Sequence, residues 1–305
     1  MRILIAGATG FIGRRLCSEL SSDYEVVALT RDVSKANKSL EGAIRAVKWD
    51  AKTSDIWNKE IEGALAVVNL AGEDITGRWT EDKKSKIVQS RIDSSRAIIE
   101  AMEKAVNKPK VVVLASAIGY YGSQREEELD ENSGPGEGFL AGVCSKVESL
   151  IGEVEHCGVR CVIVRTGVVL GREGGALARF MFPFKFYMGG WPGDGRQWFG
   201  WINIGDEVKA IKFLVEHENL NGVFNLTAPK PVRMKEFCKV LAEVINRPCL
   251  ISIPAFILRF FYGQMADEVI LGGQNAAPKR LLQAGFNFRY KDIKSALRDI
   301  IEERR

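Results

Sequence analysis

Arg2-Ile3-Leu4-Ile5-Ala6-Gly7-Ala8-Thr9-Gly10-Phe11-Ile12-Gly13 opens the chain as a buried strand running straight into a glycine turn and the start of a helix. The spacing has a physical reading. Gly7 permits the tight turn, Gly10 lets the backbone approach a pyrophosphate, and Gly13 allows the helix to pack closely on the strand. The helix N-terminus behind the turn favours negative charge. Residues 7–13, with Ala8, Thr9, Phe11 and Ile12 between the glycines, are therefore expected to cradle a dinucleotide. A purely structural strand-to-helix turn is the alternative.

Outward from that stretch, short β-branched apolar runs alternate with amphipathic helical stretches, the pattern of a parallel sheet covered by helices on both faces. Strands are expected at 2–6, 25–30, 44–49, 65–70, 110–116 and 159–165. Helices are expected at 11–21, near 55–62, at 80–106 and at 139–156, where Phe139, Val143, Val147, Leu150, Ile151 and Val154 form one stripe. Right-handed crossovers then give an α/β, doubly wound sheet. Past Arg165 the rhythm changes to loops rich in Gly, Pro and Trp, followed by helices near 206–216, 234–245 and 291–303. That predicts a nucleotide-binding domain over 1–170 and a smaller, mostly helical substrate lobe over 171–305, some of whose segments return to the first domain. A cleft is expected between them.

Composition excludes several classes. With 305 residues, 46% hydrophobic and 27% charged, the chain can bury a substantial core without disulfide or metal. Its 43 basic and 39 acidic residues are interleaved, which argues against a nucleic-acid groove. No window approaches the roughly 18 apolar residues of a membrane span. The first residues read as a strand rather than a signal peptide, so a cytoplasmic protein is expected. The six cysteines form no CxxC pair, which suits reduced thiols, and no metal site is expected from His156, Cys157 and Cys161.

The second strand ends Thr30-Arg31-Asp32, where a basic residue would meet the 2′-phosphate of NADP and an acidic one the ribose hydroxyls of NAD. Arg31 comes first and favours NADP; Asp32 keeps NAD open. Asp50, just past the third strand, either accepts a bond from the adenine amino group or simply forms a turn. Arg91 stands on the stripe of the 80–106 helix that carries Val88, Ser95, Ile98 and Met102, where an apolar residue would be expected. Its partner is either the cofactor-binding loop, an anionic ligand, or a structural carboxylate.

The glycine turn, Asn69-Leu70-Ala71-Gly72 and Ser116-Ala117-Ile118-Gly119-Tyr120-Tyr121-Gly122 together resemble the extended short-chain dehydrogenase/reductase superfamily. Gly195-Arg196-Gln197-Trp198, Trp201-Ile202-Asn203-Ile204, Arg165-Thr166-Gly167-Val168-Val169-Leu170 and Gly285-Phe286-Asn287-Phe288 are similar to its atypical, epimerase-like branch, which includes the bacterial YfcH-type proteins. The resemblance implies a Rossmann-type domain that binds NADP(H) or NAD(H), with Thr30, Leu70, Ala71, Gly72, Ser116 and Thr166 among the cofactor contacts. It also implies a substrate lobe in which Arg196 meets a phosphorylated or planar ligand beside Trp198; packing of the lobe is the alternative for that tryptophan.

The superfamily's catalytic set is a Ser or Thr, a Tyr, and a Lys four residues after the Tyr. Lys146 matches the lysine and would reach the nicotinamide ribose. The tyrosine position falls on Gly142 and the Ser/Thr position on Ala117, with Ser116 facing the other side of its strand. A displaced phenol, Tyr120 or Tyr121, is the candidate proton donor at the strand edge. The expected activity is an NADP(H)-dependent hydride step, oxidoreductive or epimerising, on a small molecule such as a carbonyl compound or nucleotide sugar. A non-catalytic NADP(H)-binding redox sensor is the rival, and a homodimer is an assembly left open.

Overall fold

The computed structural model describes residues 1–123 and 126–302. The chain runs β1 (Arg2–Ala6), α1 (Phe11–Leu20), β2 (Glu25–Thr30), α2 (Val33–Ser39), β3 (Ile44–Lys48), β4 (Ala66–Asn69), α3 (Glu81–Lys104), β5 (Val111–Ala117), α4 (Phe139–Glu148), α5 (Ile151–His156) and β6 (Arg160–Thr166). It continues through β7 (Val168–Gly171), α6 (Gly175–Lys185), β8 (Gly190–Pro192), β9 (Trp198–Phe199), β10 (Trp201–Asn203), α7 (Ile204–Glu216) and β11 (Gly222–Leu226). The last stretch holds β12 (Val232–Arg233), α8 (Met234–Ile245), β13 (Ile251–Ile253), α9 (Ala255–Tyr262), α10 (Lys279–Gln283) and α11 (Ile293–Glu302).

Seven strands form one parallel sheet in the order β3-β2-β1-β4-β5-β6-β11. The order reverses at β1, so the crevice that receives ligands in such sheets opens at the C-terminal ends of β1 and β4. The alternation along β1 explains the layers. Ile3 and Ile5 enter one core with Leu16, Cys17 and Leu20 of α1 and Ile211 and Leu214 of α7. Leu4 and Ala6 enter the opposite core with Ile98, Ile99 and Met102 of α3 and Val154 of α5. Both faces are dry, which is why the strands read as continuous apolar runs. A third core joins α6, α8 and α11 around Trp201, Phe237 and Leu297. Among the described residues no helix is long and apolar enough to cross a membrane.

The six expected strands and their neighbours appear where the sequence places them, with four corrections. The seventh strand, β11, comes from the region expected to be mainly helical. A helix expected near 55–62 is a single 3-10 turn, Asn58–Glu60. The expected helix 139–156 is two helices: at Leu150 the amide bonds Val147 O (3.2 Å), three residues back instead of four, and the axis restarts at Ile151. Helix α2, unexpected, is nucleated by Asp32, whose carboxylate accepts the Lys35 amide at 2.9 Å as an N-cap.

Candidate active site

The glycine turn is built from backbone alone. Gly7 has φ +77°, and a Cβ there would lie 2.7 Å from the Leu70 carbonyl, so β1 and β4 approach each other more closely than any side chain allows. A Cβ on Gly13 would lie 2.2 Å from the Gly7 oxygen. The N-cap Gly10 is exposed and supplies no side-chain cap. The first amides of α1 therefore point into the crevice without a side-chain acceptor, which is what an anionic pyrophosphate requires. The Phe11 ring packs against the end of β7 and the start of α6: a Cβ on Gly171 or Gly175 would meet it at 2.8 Å.

Facing the turn, the Leu70-Ala71-Gly72 segment is pinned by a residue that sequence reasoning used only as a landmark. Buried Asn69 donates to Ser94 and Ser95 of α3 (3.1 Å each) and accepts from the Ala71 amide (3.1 Å). Arg91 lies against Gly72, where a Cβ would stand 3.0 Å from its guanidinium carbon, and donates to the Glu73 carbonyl (3.1 Å) and the Ile87 carbonyl (3.0 Å). Among the described residues it has no carboxylate ion pair, and burial lowers its pKa. A half-buried guanidinium held only by carbonyls keeps its charge available to an anion beside this loop.

At the end of β2, Arg31 is exposed and enters no ion pair among the described residues, while the Asp32 carboxylate is committed to capping α2. Thr30 Oγ1 accepts the Asp32 amide at 3.2 Å and so belongs to the same turn. Asp50 is a correction to the adenine-contact reading. Its carboxylate accepts the amides of Lys52 (2.8 Å) and Thr53 (2.9 Å) and the Thr53 hydroxyl (3.1 Å), which makes it a turn-forming residue.

The other end of the crevice lies over β5 and β6. Here the structure corrects the assignment of Tyr121. Its side chain is fully buried, its phenol lies 2.7 Å from Asn225 Oδ1 and 2.8 Å from the Asp130 carbonyl, and it accepts from Arg165 at 2.9 Å. Burial pushes the phenol up to about 12, so it is a structural hydrogen-bonding group rather than a proton donor. Tyr120 is only half-buried, with one ring face 3.5 Å from the Arg165 guanidinium carbon. Arg165 in turn pairs with Glu148 of α4 (2.9 and 2.7 Å), and Glu148 also accepts the Ser116 hydroxyl at 2.7 Å. Ser116 is thereby tied beneath α4. Gly142 and Lys146 share the exposed side of that helix, the Lys146 ammonium makes no hydrogen bond or ion pair among the described residues, and a Cβ on Gly142 would meet nothing within 4 Å. Helix α4 is itself capped from the far end of the chain, since Glu268 accepts the Phe139 and Leu140 amides at 2.9 Å each.

Thr166 ends β6 half-buried, and its hydroxyl shares a 2.8 Å hydrogen bond with Glu207 Oε1. Glu207 was not foreseen; an acidic residue in the first turn of α7 looks like an ordinary helix-dipole partner until the fold buries it. In the smaller lobe, Arg196 and Trp198 do meet, through Arg233: its guanidinium stacks 3.8 Å from the Trp198 ring and donates to the Arg196 carbonyl. Arg196 lines an open groove of about 800 Å³ with Arg233, Lys235, Lys239 and Glu126. Trp201, by contrast, is core. No group of three or more His, Cys, Asp or Glu suited to a metal ion occurs among the described residues.

The NAD dependent epimerase/dehydratase family model matches residues 3–227, and a domain of unknown function (DUF1731) matches residues 253–300. An epimerase family protein SDR39U1 homolog, chloroplastic, from Arabidopsis thaliana is 39% identical over 310 residues, spanning 99% of this chain and 87% of its own. Epimerase family protein YfhF of Bacillus subtilis (strain 168) is 37% identical over 307 residues, spanning 100% and 99%. The crystal structure of human epimerase family protein SDR39U1 (isoform2) with NADPH superposes with a TM-score of 0.84 at 30% identity and covers 99% of both chains. That of a nucleoside-diphosphate sugar epimerase from Corynebacterium glutamicum superposes at 0.79 with 29% identity, over 99% of this chain and 58% of the other.

Proposed function

This chain belongs to the NAD dependent epimerase/dehydratase family, and from that premise we propose that it binds NADP(H) across the C-terminal edge of its sheet and uses it on a small carbonyl compound or nucleotide sugar. The observation that carries the reading is the pairing of an all-backbone phosphate cradle at residues 7–13 with an exposed Arg31 at the end of β2 that enters no ion pair among the described residues. The NADPH held by the human relative supports the choice of cofactor. When bound, the nicotinamide supplies or accepts a hydride. The chain's own residues then have separate tasks: the α1 amides hold the pyrophosphate, Arg31 the 2′-phosphate, Lys146 the nicotinamide ribose, and Arg91 a neighbouring anion. Arg196 and Trp198 receive the substrate, and Tyr120 is the phenol still accessible for proton transfer. The six free cysteines fit a reducing, cytoplasmic setting.

Calorimetric titration tests this. NADPH should bind tighter than NADH by about ten- to a hundredfold, the range of a charge-assisted hydrogen bond, and Arg31→Ala should erase the difference. Gly10→Val, still folded by circular dichroism, should lose both cofactors. Equal affinities in the parent chain would refute the assignment of Arg31. A second reading, a non-catalytic NADP(H) sensor, is favoured by the absence of functional atoms at Gly142 and Ala117 and by the enclosure of Tyr121. Tight NADPH binding without nicotinamide absorbance change across carbonyl and nucleotide-sugar substrates would select it.

A further inference from the structure

Strand register places a hydroxyl next to the position where the superfamily's Ser or Thr is missing. Ala117 and Thr166 are paired residues of β5 and β6, so their side chains leave the same face of the sheet on strands about 4.8 Å apart. Parity fixes which face. Val162 and Val164 enter the core shared with α1 and α7, and Thr166 follows them, whereas Arg165 crosses to Glu148 on the opposite face. The threonine hydroxyl thus sits at the ligand edge, backed by Glu207 from the first turn of α7.

Glu207 is a carboxyl without a countercharge. Its side chain is fully buried, Oε1 meets Thr166, and Oε2 has no hydrogen-bond partner among the described residues. Charged groups on the elements packed against it are engaged elsewhere. On α7, Asp206 accepts the amides of Arg289 and Tyr290, Lys209 lines an outer groove with Arg15 of α1, and Lys212 pairs with Asp23 and faces Glu19 of α1 and Glu216. Arg14 of α1 donates to the Thr9 carbonyl, and Arg160 of β6 donates to carbonyls around Leu214 and Leu220. Strands β5, β7 and β10 carry no charged residue.

Resting on the cofactor reading above, we propose that Thr166 supplies the hydroxyl that position 117 lacks, and that Glu207 is the positioning residue that turns it into a hydrogen-bond donor toward the nicotinamide end of the bound cofactor. The logic is a count of protons. A neutral Glu207 donates its own proton to Thr166 Oγ1, leaving the threonine O–H free to point into the crevice. An ionised Glu207, for which Thr166 is the only donor among the described residues, takes that O–H for itself, so the threonine offers the ligand a lone pair instead. Burial without a cation favours the neutral acid and pushes its pKa up to about 8. The donor state is therefore present at neutral pH and is lost as pH rises through that value.

The test compares NADPH with 2′-phospho-ADP-ribose, which shares the Arg31 end and the pyrophosphate of the cofactor and lacks nicotinamide, by calorimetry from pH 6.5 to 9. The ratio of the two affinities cancels titration of the shared phosphate. In the parent chain the ratio should fall about two- to tenfold toward pH 9, the range of one hydrogen bond. Glu207→Gln, whose amide donates at every pH, should hold the ratio flat at its high value. Thr166→Val should hold it flat at the low value, and Thr166→Ser should restore the parent profile. Should Glu207→Gln fail to fold, the Val and Ser variants carry the test alone. A ratio that is independent of pH in the parent chain, or unchanged by Thr166→Val, overturns the proposal while leaving the cofactor reading intact. Failure of both ligands to bind overturns the two together.

Discussion

A buried acid without a partner leaves a mark on stability that can be read independently of any ligand. Glu207 has a raised folded-state pKa, so the native chain holds its proton more tightly than the unfolded chain, and stability declines as pH climbs from the ordinary carboxylate range to about 8. Glu207→Gln removes that slope. The melting temperature of the variant, relative to the parent, should rise steadily between pH 5 and pH 8 and level off above; a constant offset would mean that the carboxyl is ionised throughout. Asp32 offers the opposite kind of residue. It works as a cap, so Asp32→Ala should cost about 1 kcal/mol of stability and leave the preference between NADPH and NADH unmoved. Single residues were legible in the sequence where their role is local. Arg31 and the glycines are defined by neighbours within a few positions. Glu148, Asn225 and Glu207 were not, because their partners at Arg165, Tyr121 and Thr166 lie 17 to 104 positions away and are chosen by the register of strands.

At the scale of elements, β6 divides the site. Its last two residues serve opposite faces, Arg165 binding α4 and Thr166 binding α7, so one strand ties the helix that carries Lys146 to the helix that carries Glu207. Helix α4 carries an exposed interior glycine at 142 with open space around it. Gly142→Ala should stabilise the protein by roughly 0.5–1 kcal/mol, measured by chemical denaturation, because alanine has the lower conformational cost in a helix. No gain would place position 142 against a group that the added methyl displaces. The strands and the long helices were legible because period and burial agree along them. The break at Leu150 was not, since the stripe from Phe139 to Val154 continues across it, and neither was α2, whose seven residues carry too little apolar periodicity to be seen without its cap.

Over the whole molecule, the C-terminal quarter is fastened to the rest of the chain at several points. Glu268 caps α4, Gln274 donates to the Gly122 carbonyl, Asn225 donates to the Ala277 carbonyl, and residues 129 and 276 form a bridge. Removal of residues 253–302 should therefore abolish a cooperative thermal transition, as followed by circular dichroism, instead of leaving a folded nucleotide-binding core. A sharp transition in the truncated chain would show that these ties are dispensable. This architecture was the part least visible in advance. A change of rhythm after Arg165 announces a second lobe, but nothing local in Gly222–Leu226 says that the strand returns to lie beside β6.

The strand order also imposes a schedule. The first strand made lies inside the sheet, third of seven; β2 and β3 complete one side of it early, and β4, β5 and β6 extend the other until residues 222–226 close that edge. Every pairing is parallel and spans a crossover, so each must close a loop before it is rewarded. Until β11 emerges, β6 is an open, apolar edge on a nascent chain, the kind of surface that recruits other strands. The protein's vulnerable period is thus its synthesis, when its centre is finished and its border is not.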